Sequence, residues 1–385
     1  MYKYLIILRR MLLAVYKRLA IFFMALLPVS QKKVLIVSFY GRGFSDNLKP
    51  IAEELHRRGS NFKIYWAIKE DIYKQSLPEY ITPIKYDSVK YFYHLRTSKI
   101  WLDNCRKWSY IKKKPAQLYI NTYHALPFKK VEADVSEKLS NAYVKSAIHD
   151  SKMCDLFVSN SSMMTKLYNN SFWYNGPVLE CGFPRNDIFF KTNKKMKKDI
   201  ANKVGLTKDA KTVLYAPTFR NDGSLDHYKL DFSRIAETLK MRFGGDWVVL
   251  LRLHPNIAKK SNKLQFDENV TIDVTHYDDM QELLLLADVL ITDYSSSILD
   301  YLITNKPAFM YASDISDYNK ERGLYFDLEE LPFSNAINQD QLADNILNFD
   351  NNYYKQKIIK FTSKYGYKDN GVAAKAVAGW ILNKL

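Results

Sequence analysis

Twice along its 385 residues, the chain alternates short apolar, β-rich runs with stretches of helical pattern. "KVLIVSFY" reads as a strand, and "SDNLKPIAEELHRRG" as a helix with Ser45 or Asp46 as cap and Gly59 as stop. "FKIYWAI", "KIWLD" and "AQLYINTY" read as strands. "VSEKLSNAYVKSAIH" reads as a helix, "DLFVSN" as a strand, "SMMTKLYNNSF" as a helix and "PVLECG" as a strand. A lysine-rich stretch, "KTNKKMKKDIANKVGLTKDAK", is a helix and a linker whose charges form a solvated face. The alternation then restarts with the strands "TVLYAPTF", "WVVLLRLHP" and "VTIDV". The helix "DDMQELLLLAD", the strand "VLITDY", the helix "SSILDYLITN" and the strand "PAFMYA" follow, and "QDQLADNILNF" and "GVAAKAVAGWILNKL" end the chain as helices. Strands joined by helical crossovers pair in parallel, so this pattern predicts an α/β protein with two doubly wound parallel sheets. The length agrees, being too great for one ordinary core. The expected domains are residues 31–195 and 205–370, preceded by a segment of residues 1–30 and followed by a helix at 371–385.

In such sheets ligands bind beyond the carboxyl ends of the strands, so reactive groups should stand just after predicted strands. Five segments do. His124 follows a strand that Pro127 blocks from continuing; it is either a general base or a structural histidine with both nitrogens bonded. In "GFPRND", Arg185 projects from a turn, either toward phosphate oxygens or into a salt bridge. In "YAPTFRND", Thr218 and Arg220 follow Pro217, in a turn whose backbone amides can cradle an anion. In "LRLHPN", Arg252 and His254 share one face of a strand beside a strand-ending Pro, a pairing that core packing does not explain. In "TDYSSSILD", Ser295, Ser296 and Ser297 open a helix, where unpaired amides attract an anion and helix capping accounts for only one serine. Asp300 lies one turn inside; beside a phosphate it would repel, so it is expected to bond a sugar hydroxyl or a proton-carrying group.

Several motifs are missing. There is no G-x-x-x-x-G-K-[ST] loop, no G-x-G-x-x-G after a strand, no Cys/His cluster and no Asp-x-Asp diphosphate motif. No metal and no cofactor is therefore expected. The spacing of the three cysteines, Cys105, Cys154 and Cys181, fits neither a zinc site nor a disulfide framework, and they read as buried thiols in a reducing cytoplasm.

Lys and Arg number 57 against 41 Asp and Glu, a net charge of +16, which points to anionic partners. The first thirty residues hold no acid and carry Lys3, Arg9, Arg10, Lys17 and Arg18. Their longest uncharged run, Leu19 to Ser30, is 12 residues, while a spanning helix needs roughly 20. Lys3, Arg10 and Lys17 fall seven apart, on one side of a helix. The reading is a basic helix lying on an anionic leaflet. The alternatives are a helix packed on the body, or a secretory signal, which lacks a small-x-small cleavage site.

Taken in order, the five segments resemble the CDP-glycerol glycerophosphotransferase family, the teichoic acid primases and polymerases. The family's Trp-His-Gly-Thr-Pro-Leu-Lys reads here "YHALPFK", its Gly-Tyr-Pro-Arg-Asn-Asp reads "GFPRND", and its Ala-Pro-Thr-Trp-Arg reads "APTFR". Its Arg-x-His is "RLH", its Thr-Asp-Tyr-Ser-Ser-x-x-x-Asp is "TDYSSSILD", and "GLYFDLEELP" is similar to its C-terminal signature. The resemblance runs over roughly residues 33–345. The chain departs from the family where Ala125 and Leu126 replace Gly-Thr, and more mildly at Tyr123 and Phe219.

The resemblance implies a GT-B-like pair of Rossmann-type domains facing a central cleft, the N-terminal one for the acceptor and the C-terminal one for CDP-glycerol. CDP-ribitol is the alternative donor. The acceptor would be a polyprenyl-diphosphate-linked saccharide, the product a teichoic acid or related capsule polymer, and the released nucleotide CMP. It makes His124 the base. His254 and Arg252 hold the diphosphate and departing CMP, and Arg185, Thr218, Phe219, Ser295, Ser296 and Asp300 complete the donor site. It implies a peripheral protein at the cytoplasmic face of the cell membrane, attached to an anionic membrane surface and binding no nucleic acid. The short N-terminal part favours a primase or short extender. Two other readings compete. A GT-B glycosyltransferase using a nucleotide sugar would release a nucleoside diphosphate and form a glycoside. A non-catalytic membrane or nucleic-acid binder would show a dense basic and aromatic stripe, whereas the basic residues here are scattered.

Overall fold

The computed structural model describes residues 4, 15–19, 21–59, 61–70, 77–206, 210–220, 230–258, 266–314 and 323–385. Contacts between Cα atoms divide the chain into two compact units. The first is Met1–His124, Ser136–Arg185 and Val372–Leu385, and the second is Ala125–Val135 and Asn186–Gly371.

The first unit is built on seven parallel strands. They are β1 (Ser30–Val37), β2 (Lys63–Ile68), β3 (Ile81–Lys85), β4 (Ser98–Asp103), β5 (Leu118–Asn121), β6 (Leu156–Ser159) and β7 (Val178–Glu180), in the order β3-β2-β1-β4-β5-β6-β7. These strands read as near-continuous apolar runs because helices cover both faces of the sheet. Val34, Ile36, Trp66, Ile100, Leu102, Ile120 and Val158 lie in its core. Helix Leu48–Arg57 buries Leu48, Ile51, Ala52 and Leu55 there, at i, i+3, i+4 and i+7. The last helix, Ala373–Asn383, packs into the same core through Val377, Ala378 and Ile381. Arg58 ties it down by donating to the Lys375 carbonyl at 2.9 Å. Each such aliphatic side chain contributes roughly 1.5–3 kcal/mol.

Strand β3 carries Pro83, which sits at the sheet edge, where its missing N–H leaves no ladder bond unmade. The helix expected to be capped by Ser45 or Asp46 instead has Asn47 at its N-cap, with no side-chain capping bond. The reason lies in the site described below, which takes up the side chains of Asp46 and Asn47.

In the first thirty residues, Lys3, Arg9 and Arg10 lie outside the described residues, so only the Lys17 end of the basic stripe is seen. Residues 15–19 and 21–23 are helical. Lys17 pairs with Asp87, while Tyr16, Leu19, Phe22, Phe23 and Leu26 are exposed. Among the described residues, no helix is long and apolar enough to cross a membrane.

The second unit holds six parallel strands: β8 (Lys211–Tyr215), β9 (Trp247–Leu251), β10 (Thr271–Asp273), β11 (Val289–Thr292), β12 (Ala308–Tyr311) and β13 (Ser334–Ala336), in the order β10-β9-β8-β11-β12-β13. The segment 125–135 belongs to this unit. Ala125 and Leu126 are buried in it, Phe128 packs its ring 5.6 Å from that of Phe326, and Lys129 bridges Leu324. The sequence placed the change of domain at residues 195–205; the contacts place it at Arg185–Asn186 and return the last helix to the first unit.

Two doubly wound parallel sheets are thus present, the GT-B-like architecture expected. In each, strand order reverses once, between β1 and β4 and between β8 and β11. Such reversals open a crevice at the carboxyl ends of the strands.

Candidate active site

The reversal in the first unit is lined by residues after β1, β4 and β5. His124 follows β5, and its Nδ1 lies 3.0 Å from the Asn104 carbonyl oxygen, just past β4. A carbonyl only accepts, so in the neutral ring Nδ1 carries the proton and Nε2 the lone pair. The imidazole stands 4.2 Å from the Tyr123 ring and 5.6 Å from that of Phe39.

Asn104 is itself fixed. Its side-chain oxygen accepts the Phe39 N–H at 2.8 Å, and its amide donates to Asp46 at 2.5 Å. Asp46 accepts from Arg185 at 2.8 Å, both side chains being buried. The Arg185 guanidinium also donates to the His124 carbonyl. Asn47 spans the gap: it donates to the Tyr123 carbonyl at 3.1 Å and accepts the Arg185 N–H at 3.2 Å. Phe39, Tyr40, Asp46 and Tyr123 all have positive φ, between 43° and 62°. Strained backbone concentrated at strand ends marks a place where geometry is held for function.

The reversal in the second unit joins "APTFR" to "TDYSS". The Thr218 N–H lies 2.9 and 3.0 Å from the two carboxylate oxygens of Asp293, and the Thr218 hydroxyl donates to one of them at 3.0 Å. Arg220 reaches the same carboxylate at 2.8 Å and takes Asp314 through two bonds of 2.6 and 3.0 Å. Burial raises the Asp293 carboxyl, against the pull of Arg220. Burial disfavours the Arg220 charge, but Asp314 and Asp293 outweigh it and hold the guanidinium above its usual range.

After β9, Arg252 donates to the Tyr277 carbonyl at 2.7 Å. Burial lowers its pKa to about 10, opposed by Asp279 and Asp278. His254 has the reverse arrangement to His124: its Nδ1 accepts the Asn256 N–H at 3.2 Å, which leaves the neutral ring's proton on Nε2. Phe219 places its ring 5.9 Å from this imidazole.

The serines open a helix of only five residues, Ser297–Tyr301. Ser295 and Ser297 share a hydroxyl–hydroxyl bond of 2.8 Å, and Ser295 accepts the Ser297 N–H at 3.3 Å. Ser296 makes no capping bond. Asp300 is buried, and its carboxylate takes Gln281 at 2.9 Å and Asn186 at 3.3 Å; Asn186 also donates to Asp369 at 3.0 Å.

Of the residues singled out from sequence, Thr218, Phe219, Arg252, His254, Ser295, Ser296 and Asp300 fall in the second unit, and His124 and Arg185 in the first. Thr218 and Arg185 are engaged by buried carboxylates, and Asp300 by buried amides. Sequence reasoning missed Asn104, Asp46 and Asn47 around His124, and Asp293, Asp314 and Gln281 in the second unit. Asp293 stood inside a quoted motif, and its place one residue past a strand was the available signal.

The pattern of one protein family matches residues 19–383: CDP-glycerol:poly(glycerophosphate) glycerophosphotransferase. The teichoic acid poly(glycerol phosphate) polymerase of Staphylococcus epidermidis is 31% identical over 369 residues, 92% of this chain and 51% of that protein. The teichoic acid glycerol-phosphate transferase of Staphylococcus aureus is 30% identical, over 88% of this chain and 90% of that protein. This chain therefore spans about half the length of the first relative and nearly all of the second. Among solved structures, a variant of the wall teichoic acid polymerase TagF soaked with CDPG is 29% identical and matches with a TM-score of 0.85, covering 98% of this chain and 96% of that one.

Proposed function

This chain belongs to the CDP-glycerol:poly(glycerophosphate) glycerophosphotransferase family, and from that premise we propose that it moves glycerol phosphate from CDP-glycerol to a hydroxyl of a polyprenyl-diphosphate-linked saccharide. The acceptor oxygen attacks the phosphorus that bears glycerol. The bridging P–O bond breaks, CMP leaves, and the acceptor proton passes to Nε2 of His124. Phosphoryl transfer of this kind gains from positioning and from donors around the developing charge. His254 supplies an N–H to the departing CMP phosphate through Nε2, and Arg252 supplies a buried guanidinium. Ser295 and Ser296 contribute hydroxyls, and Phe219 flanks the His254 ring. Thr218, Arg185 and Asp300 hold loops in place. The basic N-terminal segment keeps the enzyme on the anionic membrane surface where its acceptor resides.

The observation that carries this reading is the pair of opposite tautomers. One histidine is held with a lone pair at Nε2, as a base requires, and the other with a proton there, as a phosphate donor requires. Both relatives described above are named for glycerol phosphate, the unit proposed here. The test offers purified protein CDP-glycerol, CDP-ribitol and UDP-sugars with a lipid-linked saccharide, and follows nucleotide release. CMP and a phosphodiester are expected from CDP-glycerol. Release of a nucleoside diphosphate with formation of a glycoside would replace this reading with the glycosyltransferase one.

A further inference from the structure

From His124, ring contacts lead through the consecutive residues Phe39 and Tyr40 to Trp108. Phe39 lies 5.6 Å from the imidazole. Its neighbour Tyr40 lies 6.2 Å from Trp108, with the two ring planes only 35° apart. Tyr40 is 41% exposed and Trp108 55% exposed. An indole and a phenol left side by side in water form an exposed apolar pair of the kind that marks a binding surface.

Both rings are held. Phe39 and Tyr40 have φ values of 43° and 58°, a conformation rarely adopted by residues other than glycine. The Phe39 N–H is fixed by Asn104 at 2.8 Å, the same Asn104 whose carbonyl orients His124. The Trp108 carbonyl accepts the Ile111 N–H at 2.9 Å, which fixes the backbone that carries the indole.

Beyond Trp108 the chemistry changes from aromatic to cationic and then to apolar. Lys112, Lys113 and Lys114 follow Trp108 in the chain. Lys114 donates to the Leu27 carbonyl, so this loop meets the N-terminal segment. That segment exposes Phe22 and Phe23 at 68% each and Leu26 at 91%. The surface thus reads base, aromatic rings, cations, apolar side chains. A lipid-linked saccharide reads hydroxyl, sugar ring, diphosphate, isoprenoid.

We propose that Tyr40 and Trp108 form the platform on which the sugar ring of the acceptor lies. The proposal rests on the function given above and adds a specificity to it. Aromatic faces take the apolar face of a ring; a linear polyol-phosphate chain offers none. The site is therefore built for an acceptor that ends in a sugar.

The test uses the full chain and a water-soluble saccharide carried on a short alkyl diphosphate. Binding of this probe without CDP-glycerol should quench tryptophan fluorescence in the wild type, and Trp108→Phe should bind it without that quench. In kinetics, Trp108→Ala and Tyr40→Ala should each raise the acceptor KM by about tenfold, the scale of one lost stacking contact, with the donor KM unmoved. Trp108→Phe should recover most of the loss. An unchanged acceptor KM, or no quench in the wild type, overturns the platform while wild-type CMP release leaves the transferase reading standing. A raised donor KM would mean that the rings hold cytosine, which overturns it too. A defect seen only with a long-chain acceptor in vesicles would make Trp108 a membrane anchor instead. Absence of CMP release by the wild type, with the quench intact, would sink the transferase reading and spare the platform.

Discussion

Nδ1 of His124 lies 3.0 Å from the backbone carbonyl oxygen of Asn104. Because a backbone atom sets the tautomer, no side-chain replacement at position 104 removes the acceptor. The imidazole, the proposed base, is the lever. His124→Ala is expected to lower CMP release by about 10²–10⁴, the usual worth of a positioned general base. His254→Ala should lower it comparably by removing the N–H proposed to meet the leaving phosphate. Circular dichroism should report an unchanged fold in both. Full activity in either variant removes that histidine from the mechanism.

Arg185 and Asp46 form a buried ion pair at 2.8 Å, with side-chain exposures of 4% and 6%. Removing one member of such a pair strands a charge, which typically costs about 3–5 kcal/mol. Arg185→Gln should therefore lose stability on that scale in urea unfolding, and lose activity as well, since the guanidinium also holds the His124 carbonyl. Arg185→Gln combined with Asp46→Asn should recover part of the stability but not the activity. A double variant no more stable than the single one would show that the pair contributes nothing as a pair.

This arrangement also shows what sequence could and could not reveal. The strands were legible because burial on both faces writes them as apolar runs. Strand β3 was not, because Pro83 breaks the pattern and only an edge strand tolerates it, and neither was β13, whose Ser334–Ala336 is no apolar run. His124 and His254 were legible from their position just past strands. Their supports were not: Asn104 and Asp46 are 58 residues apart, and Arg185 and Asp46 are 139 apart. Asn and Asp near a helix start read first as caps, which is how Asp46 was read. The unit boundary was hidden for a related reason. The apolar face of Ala373–Asn383 matches the first core as well as it could have matched the second, and periodicity does not say which partner a helix takes.

Thr218 binds Asp293 through its amide and its hydroxyl, while Arg220 donates to that hydroxyl at 2.6 Å. Thr218→Val keeps the amide bonds and the volume but leaves Asp293 and Arg220 each short of a partner. A loss of about 1–3 kcal/mol in stability is expected, the cost of an unmade buried hydrogen bond. The donor KM should rise, because the loop carrying Phe219 is no longer fixed against the strand β11 end. Thr218→Ser, which keeps the hydroxyl, should behave nearly as the wild type. A normal Val variant beside a defective Ser variant would show that the methyl group matters and the hydroxyl does not.

His94 is buried in the first unit, its ring stacked 3.8 Å from that of Tyr65. Burial, with help from Lys33 and Lys90, lowers its pKa from 6.5 to about 4. The folded protein therefore resists a proton that the unfolded chain accepts. Below pH 6.5 the unfolded state binds more protons, so stability rises with pH across this range. The contribution is present in full above 6.5 and is lost as pH falls toward 4. Thermal unfolding of the wild type should show this slope, and His94→Phe, which keeps the stack without the titrating nitrogen, should flatten it. The same slope in the variant would assign the acid sensitivity to another group.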